Sequence, residues 1–296
     1  MKTLIKLLTF AIVLMVTEAY AIQDFQGVAT YKTLTKLDID EDQLKGSGGS
    51  GLSADMQEKI MAALKKGSQQ TYTLEFDKTQ SIYKKEEKLA APQPNSGNFN
   101  IAINFSGGIG DVLYKNTKEN RYTSANESYS KLFLVKDKLQ EHDWKLEKET
   151  KNIGEYTCFK ATKTFTRTVN VSSFTSFSTN DKNKEEKENK EPETREEEVT
   201  ITAWYTPQIP VSTGPNIYHG LPGLILEIND GRTTTICSKI VLNPKNKIEI
   251  KEPKKGKKVS QAEFDKIMEK KRKEQEEQFR SRSRDGVVRE VIRIGG

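Results

Sequence analysis

Between Pro207 and Gly223 the chain packs four prolines (Pro207, Pro210, Pro215, Pro222) and three glycines (Gly214, Gly220, Gly223) into a single span. Proline fixes φ and removes a backbone donor, so this span cannot be helix or continuous strand. Glycine opens backbone angles closed to other residues. Ala203-Trp204-Tyr205-Thr206 on one side and Leu224-Ile225 on the other are β-type residues. The span is therefore expected to be a rigid irregular loop between two strands.

Much of the remaining chain alternates with the period of a strand. Strands are expected at Gly27–Leu34, Gln70–Phe76, Ser81–Tyr83, Asp111–Tyr114, Arg121–Ser124, Leu132–Val135, His142–Glu147, Glu155–Phe165, Val199–Tyr205, Leu224–Ile228 and Thr233–Leu242, with a last short one at Val287–Ile294. Asn229-Asp230-Gly231 reads as the hairpin turn between two of them. Ser53 caps a short helix reaching about Lys66, with Met56, Ile60 and Leu64 at helical spacing. Ser260-Gln261-Ala262-Glu263 is a capping box opening a second helix to about Arg280. Phe264, Ile267 and Met268 give it an apolar stripe only in its first half. The expected fold is mainly β, of α+β type. It is a curved antiparallel sheet or half-barrel covered by a helix, with one short helix in its N-terminal half and one C-terminal helix, and a closed barrel as the next arrangement.

Lys2 and Lys6, the apolar run Leu7–Val16 and Ala19-Tyr20-Ala21 read as a secretory signal peptide over residues 1–21. The apolar run is too short for the ~30 Å hydrocarbon core of a bilayer, and no integral membrane span is expected in the mature chain. The β-rich domain is expected over residues 22–250. Within it, the stretch at about 180–198 is almost wholly Asp, Glu, Lys and Asn and is expected to be disordered. Residues 251–296 form a basic helical tail. From Lys245 onward there are 17 Lys/Arg against 10 Asp/Glu, a net of +7, whereas the whole chain carries +6. The alkaline pI is thus a property of the tail. In an exported chain it points to no nucleic acid; it suits a solvated charged helix or an anionic surface.

Chemistry-bearing side chains are few. His142 and His219 are the two histidines, Cys158 and Cys237 the two cysteines, and this set makes no zinc constellation. No metal or other cofactor is expected. Ser106–Asp111 lacks the Lys-Ser/Thr and helix of a phosphate loop and reads as a turn. The cysteines are expected either as a disulfide or as two buried thiols. His219, directly before Gly220, could serve as a general base, yet no serine or cysteine nucleophile is paired with it in the sequence. Trp204, Tyr205, Ile209, Tyr218, His219 and Leu221 surround the loop and are the candidate surface for a ligand or partner, with core filling as the alternative. Gly220, Pro222, Gly223, Leu224 and Ile225 read as a structural device, turning the chain and starting the next strand.

The run Gly220-Leu221-Pro222-Gly223-Leu224-Ile225 also resembles the signature of the GLPGLI family of exported Bacteroidota proteins. Ala203-Trp204-Tyr205-Thr206-Pro207, Ile209-Pro210, Gly214-Pro215, Asp143-Trp144 and Gly154–Ala161 are similar to its pattern as well, so the resemblance covers Leu132–Ile228. It implies export and one β-rich domain. It implies no activity and assigns no catalytic residue. The resulting expectation is a periplasmic, cell-surface or secreted envelope protein. It would bind an apolar ligand, such as a lipid, or an envelope protein without catalysis. The alternatives are a hydrolase of envelope peptides or glycans with His219 as base, and an accessory partner of outer-membrane transport machinery.

Overall fold

The computed structural model describes residues 25–36, 68–86, 110, 112–170 and 194–284. Among these residues twelve strands form a single sheet. They are β1 (Gly27–Thr35), β2 (Gln69–Phe76), β3 (Gln80–Lys85), β4 (Val112–Asn116), β5 (Arg121–Ser128), β6 (Lys131–Lys138), β7 (Lys145–Ile153), β8 (Tyr156–Asn170), β9 (Thr194–Thr206), β10 (Leu224–Asn229), β11 (Thr233–Leu242) and β12 (Lys257–Val259). Their order is β12-β6-β5-β4-β3-β2-β1-β11-β10-β9-β8-β7. Every pairing is antiparallel except β12 with β6. The sheet is open, since β12 and β7 stand at opposite ends of that order, so the closed-barrel alternative does not hold.

Connectivity dictates how this sheet is shaped. β6 and β7 lie ten places apart in the order, yet only residues 139–144 join them. A flat sheet with strands ~4.8 Å apart would separate them by about 48 Å, whereas so short a link reaches at most about 25 Å. The sheet must therefore bend back on itself. Lys115 on β4 shows the same bending, because its ammonium donates to Gly214 O (2.8 Å) and Tyr218 O (3.0 Å) in the loop after β9.

Three apolar clusters hold the sheet. The first unites Ala29, Tyr31, Leu74, Phe76, Tyr83, Leu113 and Leu226 with Ile209 and Val211 of the loop. The second joins Ala161, Ala203, Tyr205, Ile225 and Ile228 to Leu221. In the third, helix α1 (Gln261–Arg284) lays Phe264 on Phe133, Val135 and Val259, the Phe133 and Phe264 rings meeting edge to face at 5.4 Å. The capping box is formed as its residues dictate: Glu263 Oε2 accepts from Ser260 N (2.8 Å), and Ser260 Oγ accepts from Glu263 N (3.3 Å).

Several expectations shift. β7 begins at Lys145 and not at His142, because residues 142–144 turn tightly, with Trp144 N donating to His142 O (2.8 Å). Part of the acidic stretch expected to be disordered is strand. Glu196, Glu197 and Glu198 pair with Thr168, Arg167 and Thr166 of β8, and Arg167 reaches Glu197 at 3.2 Å. Residues 171–193 of that region lie outside the described residues, as do the signal peptide, the helix at Ser53–Lys66 and the strand at Val287–Ile294. Residues 243–256 cross from β11 to β12, pinned by Gln26 to Ile248 and by Thr123 to Glu252. The three-residue β12 carries no sequence pattern of its own.

Candidate functional site

The loop after β9 is built from its own backbone. Leu224 N donates to Ile209 O (2.9 Å) and Ile225 N to Thr213 O (3.0 Å), so the first half of the loop folds back along the start of β10. Gly220 has φ +91°, a left-handed conformation that side chains disfavour. At Gly223 an added Cβ would fall 2.2 Å from Thr206 O. Leu221, Leu224 and Ile225 are buried, while Pro222 faces solvent.

The sequence-derived candidate residues do not line one surface. Ile209 is fully buried in the first cluster, and Trp204 packs against that cluster beneath the Lys151 ammonium, 4.4 Å from its ring centroid. Tyr205 and Leu221 belong to the second cluster, with Tyr218 packed on its edge. Tyr218 and His219 alone among the six point to a meeting of functional groups, and most members of that meeting escaped sequence reasoning.

Those members are His142, Trp144, Lys163 and Lys115. The His142 and His219 rings lie edge to face with centroids 4.9 Å apart. Trp144 and Tyr218 flank His142 at 5.6 and 5.7 Å. Trp144 Nε1 donates to His219 O (2.8 Å). Ile217 O lies 3.3 Å from His142 Nε2 and 3.0 Å from His219 Nδ1, so both rings donate to one carbonyl. His142 Nδ1 is left to accept from Lys163 Nζ (3.2 Å). The connector between β6 and β7 is thus fastened to the loop through aromatic rings. A sequence signal existed: Asp143-Trp144 lies in the resembling pattern, and Lys115 sits two residues from Leu113, on the buried parity of β4.

Burial governs the electrostatics. Desolvation pushes His142 down to about 4 and lowers His219 as well, so both imidazoles are neutral at pH 7. Lys115 is fully buried with two carbonyls as acceptors, and desolvation brings it down to about 7. Burial raises Tyr218 to about 12. Chemically, His219 has the lone pair of Nε2 to offer as a base. Among the described residues no hydroxyl or thiol hydrogen-bonds to either imidazole, and Ser212 Oγ instead accepts from Gly220 N (3.0 Å).

Cys158 and Cys237 are free buried thiols in one cluster, each raised to about 11 by desolvation. Among the described residues no group of three or more His, Cys, Asp or Glu converges as for a metal ion. Nor is any described helix long and apolar enough to cross a membrane.

Two solved structures are similar to the chain, described as PNGF-II in the C2 and the P21 space group. The first has a TM-score of 0.44 and 14% identity, over 82% of this chain and 32% of that one. The second has a TM-score of 0.44 and 13% identity, over 82% of this chain and 33% of that one. The chain therefore spans about a third of the length of those proteins. No curated protein matches. Residues 144–227, from the Trp144 of the aromatic fastening to the Glu227 of β10, match the family model described as "Protein of unknown function (Porph_ging)", a family associated with the Bacteroidota.

Proposed function

We propose that this protein is an exported envelope component that acts by binding another protein and not by catalysis. Its coiled open sheet would be the half-barrel expected from sequence, and the GLPGLI resemblance is part of the same reading. Export rests on residues 1–21. The observation that carries the binding role is an apolar patch at the sheet's end. Leu146 on β7 is 57% exposed and Phe159 on β8 is 36% exposed, the latter with its ring tilted against Tyr205 at 6.1 Å. Lys160, next to Phe159 on β8, pairs with Glu147 (3.1 Å) and Glu149 (3.0 Å) on the opposite, Trp204 face of the sheet, which leaves the Leu146 and Phe159 face apolar. Large apolar side chains left exposed on one face at a sheet's end mark an interaction surface. The apolar residues of the loop, in contrast, are spent on the core, which favours a protein partner over a lipid.

Capture from native envelope tests this. The Leu146→Glu/Phe159→Glu variant should lose the partner that the wild-type chain retains, with an unchanged circular dichroism spectrum. Retention by the variant, or lipid found by native mass spectrometry in place of a protein, counts against the reading.

One observation favours the hydrolase alternative: the His142–His219 pair, with His219 Nδ1 fixed on a carbonyl and Nε2 left to act. His219→Ala discriminates, because loss of a measurable turnover with the fold intact would support catalysis.

A further inference from the structure

A second site lies away from the loop, where β5, β6 and residues 243–256 meet. Here a cleft of about 740 Å³ opens between Arg121, Tyr122, Thr123, Lys136, Lys138 and Glu252. That volume is within the range of small-molecule sites. Glu119 and Asp137 line it as well, but Glu252 is the carboxylate that gathers the most partners. Glu252 Oε1 accepts from Thr123 Oγ1 (2.7 Å), Lys136 Nζ (2.7 Å) and Arg121 Nη1 (3.1 Å). Thr123 is fully buried, so this donor is part of the sheet's built surface.

Burial alone would raise the Glu252 carboxyl. The hydrogen bonds from Lys136, Thr123 and Arg121 outweigh it and hold the group down at about 2. Arg121 also pairs through Nε with Glu119, and Asp137 lines the cleft, so with Glu252 displaced Arg121, Lys136 and Lys138 would face two carboxylates. The two cations and the buried hydroxyl that Glu252 occupies form an anion receptor.

The receptor and its occupant are built differently. Arg121, Thr123 and Lys136 stand on paired strands. Glu252 comes from the segment between β11 and β12, which contains neither strand nor helix. Such a segment opens locally at lower cost than a paired strand. The cleft is also far larger than one carboxylate requires. Lys138 lines it with an ammonium that bonds to no other side chain among the described residues. Space, a polar wall and a spare cation are what the body of a carboxylated sugar would meet.

We propose that Arg121, Lys136 and Thr123 form the anion subsite of a cleft for a carboxylated sugar, and that Glu252 fills this subsite in cis until the ligand displaces it. Titration calorimetry of the full chain with sodium glucuronate tests the idea, with the neutral methyl ester as control. Glu252→Gln should bind glucuronate at least tenfold more tightly than wild type, since a neutral amide competes less well for the two cations. Wild type and variant should both ignore the ester. Arg121→Ala/Lys136→Met should lose binding while keeping the wild-type circular dichroism spectrum, which covers the case where Glu252→Gln loosens the fold. Equal affinity of wild type and Glu252→Gln, binding of the ester as strong as that of the acid, or undiminished binding by Arg121→Ala/Lys136→Met would overturn the proposal.

Discussion

Lys115 is the residue at which the electrostatics of this protein become measurable. Its folded value of about 7 lies below the ordinary lysine value, so the unfolded chain binds more protons above pH 7. Stability must therefore rise with pH as Lys115 sheds its buried charge. Between pH 6.5 and 8.5 the gain is about 2 kcal/mol. The two thiols, raised when folded, oppose this gain as pH approaches the unfolded cysteine value of about 8.5, so the comparison with Lys115→Met isolates the lysine's share. Denaturant melts at the two pH values should show the gain in wild type, and Lys115→Met should flatten it. His142 acts in the same direction at lower pH. Its neutral ring is favoured by folding, so stability falls as pH drops from the unfolded histidine range towards about 4. None of this was legible in the sequence, because desolvation depends on what the fold places around a side chain.

The loop shows which glycines and prolines the fold requires. Gly223→Ala would drive a methyl group into the Thr206 carbonyl, so the strand entry must move. A loss of about 3 kcal/mol or more in urea unfolding is expected. Pro222→Ala, at an exposed position, should cost under about 1 kcal/mol. A similar loss at both positions would show that the close approach at Gly223 is not the constraint. At the far end of the fold, Ser260→Ala removes one half of a formed capping box and should cost α1 about 1 kcal/mol, read as a lower melting temperature. Most strands, the Asn229–Gly231 turn and this helix start were legible because each is written in a local pattern. The turn needs positive φ only at Gly231, and Asp230 serves it instead by accepting from Arg232 N (3.0 Å) and Thr233 N (2.6 Å). β12 and the Glu196–Glu198 end of β9 were not legible, since their strand character is lent by β6 and by the threonines and arginine of β8.

At the scale of the whole molecule, the loop, the β6–β7 connector and residues 243–256 tie together parts of a sheet that a flat arrangement would hold far apart. The Trp204-to-Leu221 surface expected from the sequence is divided between two core clusters, because residues adjacent along a loop need not face the same way. The groups that do converge are His142, Trp144, Lys115 and Lys163, drawn from three other parts of the chain. Their mutual contacts fasten one element to another, which leaves the exposed Leu146–Phe159 patch as the surface on which the proposed binding role rests. Parallel capture from native envelope with wild type, Leu146→Glu/Phe159→Glu and His219→Ala tests this account most directly. It predicts that the patch variant loses the partner while His219→Ala keeps it. Retention of the partner by the patch variant, with loss in His219→Ala at intact fold, would contradict it.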